Sequence, residues 1–171
     1  MRTKVESERI YSLVRQTVRE MHTSDPFSLA RSLGLDVDYA DLGELKGFYV
    51  VYKTGRYVVI NHNLDERMTK LVLAHEIGHD LLHRDIAASG GMGEKSFFDM
   101  TSKPEREANI FAAELLVTDD DMIELGERGC TVEEAAKELC VHCKVAMIKA
   151  RSMEERGYKI NAPIYTGPLF V

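Results

Sequence analysis

Apolar residues recur at helical spacing in the first part of the chain, which predicts two helices there. Between Ile10 and Met21 this spacing predicts an amphipathic helix. Asp25-Pro26 then predicts an N-cap followed by a proline in the first turn, and the short helix that they begin should end at Gly34. Two helices therefore precede the first predicted strand.

Short segments rich in β-branched and aromatic residues follow, and they predict a small sheet. They cover residues 37–39, 48–52 and 57–60, and glycines and turn residues separate them. A hairpin at Gly55 would join the last two segments. We expect a sheet of about three strands.

The rest of the chain is predicted to be mainly helical. The longest predicted helix runs from Asp65 to His83. Residues 87–103 are too rich in glycine for a helix, and Ser89 to Gly93 within them are typical of a mobile loop. Capping boxes at Ser102–Glu105 and Thr131–Glu134 predict two further helix starts.

This order of elements predicts an α+β fold in a single compact unit. The chain has 171 residues, a length that suits one domain. We divide it into a core over residues 1–125 and a C-terminal helical segment over residues 126–171 that packs on the core. The aromatic side chains of the tail from Gly157 to Val171 should pack back on this body.

Composition and charge narrow the class of protein. Hydrophobic residues make up 44% of the chain, which argues against disorder, and no apolar run approaches the roughly 20 residues of a membrane span. The charged start resembles no secretory signal, and three cysteines are too few for a disulfide scaffold, so we expect a cytoplasmic protein without a membrane partner. The net charge of −6 argues against direct binding of nucleic acid.

The predicted helix from Asp65 to His83 contains His75-Glu76-Ile77-Gly78-His79, an H-E-x-x-H motif. Four residues advance an α-helix by about 6 Å and just over one turn, so both imidazoles project from one face and can share a metal ion. Glu76 lies one residue round the helix, where its carboxylate can reach a metal-bound water. The motif therefore predicts His75 and His79 as zinc ligands and Glu76 as the general base.

A catalytic zinc site has a third protein ligand, for which the sequence offers several candidates. The third histidine of metzincins would stand six residues after His79, where this chain has Asp85, so that family is excluded. His83 lies about 12 Å along the helix axis from His75, and we interpret it as a C-terminal histidine favoured by the helix dipole. Glu105 is already assigned to a capping box. The downstream carboxylates are Asp99, in a predicted loop, Glu105, Glu107 and Glu114. Glu107 and Glu114 lie two turns apart on one predicted helix face, and spacing does not choose between these two.

These motifs resemble those of the ImmA/IrrE family of metallopeptidases. That family pairs an H-E-x-G-H helix with a helix of pattern E-x-E-A-x-x-F-A-x-x-L-L, which this chain matches at residues 75–79 and 105–116. The resemblance covers most of the chain. It implies a zincin-like metallopeptidase core with Glu107, directly before Ala108, as the third ligand of a His-His-Glu site.

The resemblance does not supply the groups that surround the ligands. Thermolysin-like enzymes place an aspartate four residues after the ligand glutamate, whereas this chain has Phe111 there. The candidates for such outer contacts are Asp80, Asp99 and Asn109.

The resemblance also implies a regulatory proteolysis function. Family members commonly occur in mobile elements or stress circuits, where they act on a helix-turn-helix repressor. We therefore expect a zinc endopeptidase whose partner is such a repressor. Zinc would activate a water molecule, and Glu76 would take its proton and pass it to the leaving amine.

The segment from Thr131 to Gly157 supports a second hypothesis, a DNA-binding or scaffold regulator with a vestigial metal site. Its two helical stretches around a short interruption loosely resemble a helix-turn-helix. Between Thr131 and Lys159 the segment contains six positive and five negative residues, which gives it a net charge of only +1. Because phosphate contacts need a more basic face, we favour a structural or substrate-docking helical pair.

Overall fold

A computed structural model of the chain describes residues 2–88, 92–94, 100 and 102–159. The α+β fold expected from the sequence is confirmed. The described helices and strands, in chain order, are α1 (Arg2–Met21), α2 (Pro26–Leu33), β1 (Asp36–Ala40), β2 (Gly47–Tyr52), β3 (Gly55–Asn61), α3 (Glu66–Leu82), α4 (Arg84–Ala88), β4 (Met92–Glu94), α5 (Lys103–Leu116), α6 (Asp119–Glu127), α7 (Val132–Glu138) and α8 (Cys143–Arg156).

The sheet has the strand order β1-β3-β2-β4. Strand β1 runs parallel to β3, whereas β2 is antiparallel to both β3 and β4. The predicted hairpin is present, with Tyr52 paired to Gly55. The fourth strand adds to the three that were expected, and it lies in the segment that the sequence assigned to a loop. Of that loop, Met92 and Gly93 belong to β4, and residues 89–91 lie outside the described residues, as does the tail from residue 160.

Side-chain caps begin the helices at the residues that the sequence indicated. Asp25 accepts a hydrogen bond from the Ser28 N–H, and Asp65 caps α3 in the same way. Ser102 caps α5, and Thr131 caps α7 with a complete capping box. Because each of these oxygens satisfies an N–H that the first helical turn leaves without a partner, the starts of the helices are fixed locally.

Helix α3 crosses the interior, between the sheet and α5, and most of its residues are buried. Gly78 marks its closest approach to α5. A Cβ atom added at Gly78 would lie 3.1 Å from Ala108 Cα and 3.2 Å from Phe111 Cβ. The absent side chain thus lets the two helix backbones come together, which offsets the poor helix propensity of glycine.

Helix α8 packs against α1 and α5 on the far side of the interior. Its Lys149 is buried, with Nζ lying 2.5 Å from Glu114 Oε2 and 2.6 Å from Asp119 Oδ1. The division of the chain at residue 125 stays a prediction. None of the helices in the described part of the chain combines the length and apolarity that crossing a bilayer requires.

Candidate metal centre

Helix α3 presents His75 and His79 on successive turns, and both rings are buried. Their Nε2 atoms lie 3.0 Å apart, and the ring planes meet edge to face at 78°. The i, i+4 spacing therefore brings the two imidazoles together as the motif predicted.

Glu105, in the first turn of α5, supplies a third group beside the histidines. Its Oε2 atom lies 3.2 Å from His75 Nε2 and 3.5 Å from His79 Nε2. Atoms bound to one ion in a tetrahedral zinc site, with bonds of about 2.0–2.1 Å, lie about 3.3 Å from each other. The three protein atoms thus have the separations of one face of such a site, and they form a group able to hold a metal ion.

Glu107, which the family resemblance implied as the third ligand, lies beside a different histidine at the end of α3. Its Oε2 atom is 2.9 Å from His83 Nε2, and its other oxygen pairs with Arg9 of α1. Two residues along a helix correspond to a rotation of about 200°, so Glu105 and Glu107 cannot face the same neighbour. In the structure Glu105, and not Glu107, lies beside the histidine pair, and the assignment of Glu107 as third ligand stays a prediction.

Asn109 orients the ring of His75. The Asn109 Oδ1 atom lies 3.0 Å from His75 Nδ1, while its amide nitrogen faces Met100 Sδ at 3.8 Å. With the amide held this way, His75 donates from Nδ1, which leaves the lone pair of Nε2 directed at the candidate site. Asn109 is one of the three outer-contact candidates that the sequence offered.

His79, the second candidate ligand, has an outer partner that was not predicted from the sequence. The Nδ1 atoms of His79 and His83 lie 3.2 Å apart, and His83 continues to Glu107 through its Nε2. His83 is buried at the C-cap of α3. His83 therefore contacts the side chain of His79, a candidate ligand, in addition to ending the helix. The signal in the sequence was the i, i+4 spacing of His83 from His79. The sequence had led us to interpret His83 only as a C-terminal histidine favoured by the helix dipole.

The surroundings of the site keep its groups in the charge states that metal binding needs. Burial lowers the pKa of His79 to about 4, against the opposing influence of Glu105, so the ring is neutral at pH 7. Burial would raise the pKa of Glu107. The hydrogen bond from His83 and the charges of Arg9 and Lys103 outweigh that effect and hold the pKa below its usual value.

Glu76 is buried on α3 directly after the first histidine. Its Oε1 atom would lie 3.7 Å from a Cβ added to Gly47 at the start of β2, and the same Cβ would lie 2.5 Å from Val72 Cγ1. Glycine at this position therefore lets the strand pass close over α3 where the Glu76 carboxylate lies.

Asp80, another candidate from the sequence, connects α3 to the sheet rather than to the histidines. It accepts hydrogen bonds of 2.6 Å from both the Tyr49 hydroxyl and Arg56, and Arg84 also pairs with it. Burial and the bond to Asp80 raise the pKa of the Tyr49 phenol well above its usual value. The described contacts of Asp80 therefore support the fold beneath the site.

The remaining carboxylate candidates do not join the site in the described residues. Glu114 faces the opposite side of α5, where Ser152 donates a 2.6 Å hydrogen bond to it and Lys149 forms an ion pair. Asp99 lies outside the described residues. Among the described carboxylates, Glu105 is the one grouped with the two histidines.

Comparison with known proteins agrees with this geometry. The family model of the M78 peptidases, described as the IrrE N-terminal-like domain, matches residues 30–151. The chain belongs to this family. It is also 38% identical over 111 residues to a protein of Bacillus phage phi105 described as uncharacterized immunity region protein 2, covering 64% of this chain and 69% of the phage protein. The ImmA/IrrE resemblance is thereby confirmed.

The segment that matches the M78 peptidases contains α3 and α5, and therefore every group at the candidate site. Helix α1 precedes that segment but still reaches the site's surroundings through the Arg9–Glu107 ion pair. A contact between helices so distant in sequence has no local signal, so the sequence analysis did not find it.

Proposed function

We propose that this M78 peptidase is a zinc-dependent endopeptidase that cleaves a helix-turn-helix transcriptional repressor, with Glu76 as general base. The observation that carries the proposal is the convergence of His75 Nε2, His79 Nε2 and Glu105 Oε2 within 4.8 Å. Membership of a peptidase family supports the reaction class.

Two imidazole nitrogens and one carboxylate oxygen form the donor set of many catalytic zinc sites. Such a set leaves a fourth position open, and zinc bound there lowers the pKa of a coordinated water and polarises a substrate carbonyl. The three protein atoms suit a zinc ion because they lie 3.0, 3.2 and 3.5 Å from one another.

Glu76 is the residue that we assign to proton transfer. It follows His75 on α3, and its buried carboxylate lies beside the start of β2. A carboxylate in this position takes the proton of the attacking water and delivers it to the leaving amine.

The proposed substrate class follows from the phage relative, whose name places it in an immunity region. Repressors maintain immunity in such regions, so a protease encoded there would relieve repression. We place the encounter in the cytoplasm, with the protein substrate as partner and no direct contact with nucleic acid.

One observation weakens the alternative of a DNA-binding regulator. Helices α7 and α8 are present, but Lys149 and Arg156 have side-chain exposures of only 1% and 3%, because they pair with Glu114 and Asp119. These are two of the six positive residues that would form a DNA-binding face. Phosphate binding needs accessible cations, so the segment is better suited to packing.

The metal test compares the zinc content of the purified wild-type protein and two variants. Wild-type protein should hold about one zinc per chain, and Glu105→Ala should lose it, because two histidines alone leave the site without its third ligand. Glu66→Ala, at an exposed position in the first turn of α3, is the matched control and should retain zinc. Full zinc content in Glu105→Ala would refute the ligand set.

The activity test uses Glu76→Gln, and the candidate substrate is any helix-turn-helix repressor that is encoded beside the gene. The amide keeps the shape of the side chain but cannot accept a proton, so zinc should remain while cleavage falls by about 100-fold or more. Wild-type cleavage in this variant would remove Glu76 from the mechanism. Salt-dependent duplex binding without any proteolysis would favour the DNA-binding alternative.

A further inference from the structure

We propose that His83 and Glu107 are positioning residues of the metal centre. They fix the His79 ring in the tautomer that leaves its Nε2 free for the metal, and Arg9 of the N-terminal helix holds Glu107 in place. The inference rests on the proposed metal site and gives a role to two residues that touch no substrate.

The direction of the hydrogen bonds follows from the chemistry of Glu107. An ionised carboxylate only accepts, so the 2.9 Å contact requires His83 to donate from Nε2. In an imidazole tautomer that donates from Nε2, Nδ1 is the acceptor, and in His83 this atom faces His79 Nδ1 at 3.2 Å. His79 must therefore donate from Nδ1, and its Nε2 keeps the lone pair that a metal ligand needs.

Arg9 is the end of this chain of contacts. Its guanidinium pairs with Glu107 from α1, while Lys103 lies 3.8 Å from the same carboxylate oxygen. Half of the Arg9 side chain is exposed, at 53%, whereas only 5% of Glu107 is. Because an exposed cation is well solvated, we expect Arg9 to contribute less than the two buried residues.

A purely structural role for Glu107 is the competing explanation, since the Arg9 ion pair also joins α1 to α5. The chain offers a matched control for it. Arg106 of α5 makes a bidentate pair with Glu6 of α1, at 3.1 and 3.2 Å, and so joins the same helices. Removing Arg106 tests the loss of an interhelical ion pair without breaking the contacts of His83.

The experiment measures the zinc affinity of the full chain by competition with a chromogenic chelator at constant pH. Loss of an outer partner typically weakens metal binding by about 10- to 100-fold, which we expect for His83→Ala and Glu107→Ala. Arg9→Ala should weaken it by about tenfold or less. Arg106→Ala should bind as tightly as wild type. Thermal unfolding of the zinc-free proteins checks that each variant folds.

Three further measurements separate positioning from a general loss of structure. His83→Gln places an amide oxygen where it can accept the His79 proton, so it should recover part of the affinity that His83→Ala loses. Adding Glu107→Ala to His83→Ala should cost no further affinity, because Glu107 acts through His83. Cobalt spectra of the single variants should keep the tetrahedral signature, since the ligands are unchanged.

The possible outcomes distinguish the two proposals. If wild type binds zinc through Glu105 but His83→Ala and Glu107→Ala match Arg106→Ala, the positioning proposal alone is overturned. Additive losses in the double variant would also overturn it. If Glu107→Ala abolishes zinc binding while Glu105→Ala retains it, Glu107 is itself the ligand, and both the ligand set and this inference are wrong.

Discussion

Three glutamates of helix α5 place the same side chain in three different surroundings. Glu105 faces the histidine pair, Glu107 faces His83 and Arg9, and Glu114 faces the buried Lys149. Chemistry at the scale of the residue is therefore decided by the direction in which the helix presents each carboxylate. A one-position shift of about 100° would turn all three carboxylates away from these partners.

The low pKa of His79 gives a prediction for the zinc-free protein. The folded pKa is about 4 and the ordinary value is 6.5, so between these pH values the unfolded chain binds a proton that the folded chain does not. The contribution to stability is complete above pH 6.5 and is lost as the pH falls towards 4. The free energy of unfolding should fall by at most about 1.4 kcal/mol per pH unit through this group.

Chemical denaturation of the zinc-free protein at several pH values measures this slope. His79→Asn lacks the titrating ring, so its stability should depend less on pH in the same window. Equal slopes for the two proteins would show that His79 titrates alike in the folded and unfolded states.

The sequence predicted that His75 and His79 lie together, with Glu76 directly beside them, because all three belong to one helix with a fixed period. The third group could not be predicted with the same certainty. Glu105 and Glu107 are two residues apart on α5, and only the packing of α5 against α3 determines which of them faces the histidines. The family resemblance implied Glu107 as the third ligand, and the side chain of Glu105 had already been assigned to a capping box. In the structure the Ser102 hydroxyl accepts a hydrogen bond from the Glu105 N–H, whereas the Glu105 carboxylate points to the candidate metal site.

At the scale of elements, the caps made the helix starts predictable, because each cap is a local contact with the first turn. Helix α3 was expected over Asp65–His83 and lies at Glu66–Leu82, with those two residues as its caps. Strand β4 was not expected, since its three residues are rich in neither β-branched nor aromatic side chains. It is a strand through its pairing with β2, which is not local in sequence.

The contact between α3 and α5 depends on Gly78, and Gly78→Ala tests it. Alanine favours a helix by about 1 kcal/mol over glycine, whereas overpacking a close contact costs about 1–3 kcal/mol. The new Cβ would meet Ala108 Cα at 3.1 Å and Ala108 O at 3.3 Å, and backbone atoms cannot move aside alone. We therefore expect a net loss of stability, with weaker zinc binding because Glu105 moves with α5.

Denaturation of the zinc-free protein and chelator competition measure the two effects of Gly78→Ala. A variant that is more stable than wild type and binds zinc equally well would show that helix propensity outweighs the contact. In that case the glycine of the motif would not set the distance between the helices.

At the scale of the whole molecule, helix α1 connects the surroundings of the metal site with the opposite side of the protein. Ile10 and Val14 are buried in the core, and Arg9 pairs with Glu107. Tyr11 stacks on Arg156 of α8, with the guanidinium carbon 4.0 Å from the ring centroid. A helix outside the segment shared with M78 peptidases thus contacts both regions, which identifies it as an integral part of this protein.

The buried ion cluster beneath α1 joins three helices through Lys149, and it supplies a test of stability that is independent of the metal. Lys149 lies between Glu114 and Asp119, and Arg156 neutralises the same two carboxylates. Burial would raise the pKa of Asp119, but hydrogen bonds from Arg156 and Lys149 lower it far below its usual value. The folded protein therefore holds the Asp119 carboxylate charged at neutral pH, and the stabilisation that its low pKa provides is lost as the pH falls below the ordinary value of 3.8.

Lys149→Met should remove the ammonium while filling a similar volume, leaving two buried carboxylates with a single guanidinium. Breaking one partner of a buried ionic cluster typically costs about 3–5 kcal/mol, and we expect a loss of that size in the free energy of unfolding. Lys137→Met, at an exposed position on α7, should change it by about 0.5 kcal/mol or less. Denaturant titration measures both, and zinc content should stay unchanged because the ligands lie on α3 and the first turn of α5.

If Lys149→Met matches the Lys137 control, the cluster contributes no net stability. If Lys149→Met instead loses zinc while remaining folded, the far side of α5 is coupled to the metal site.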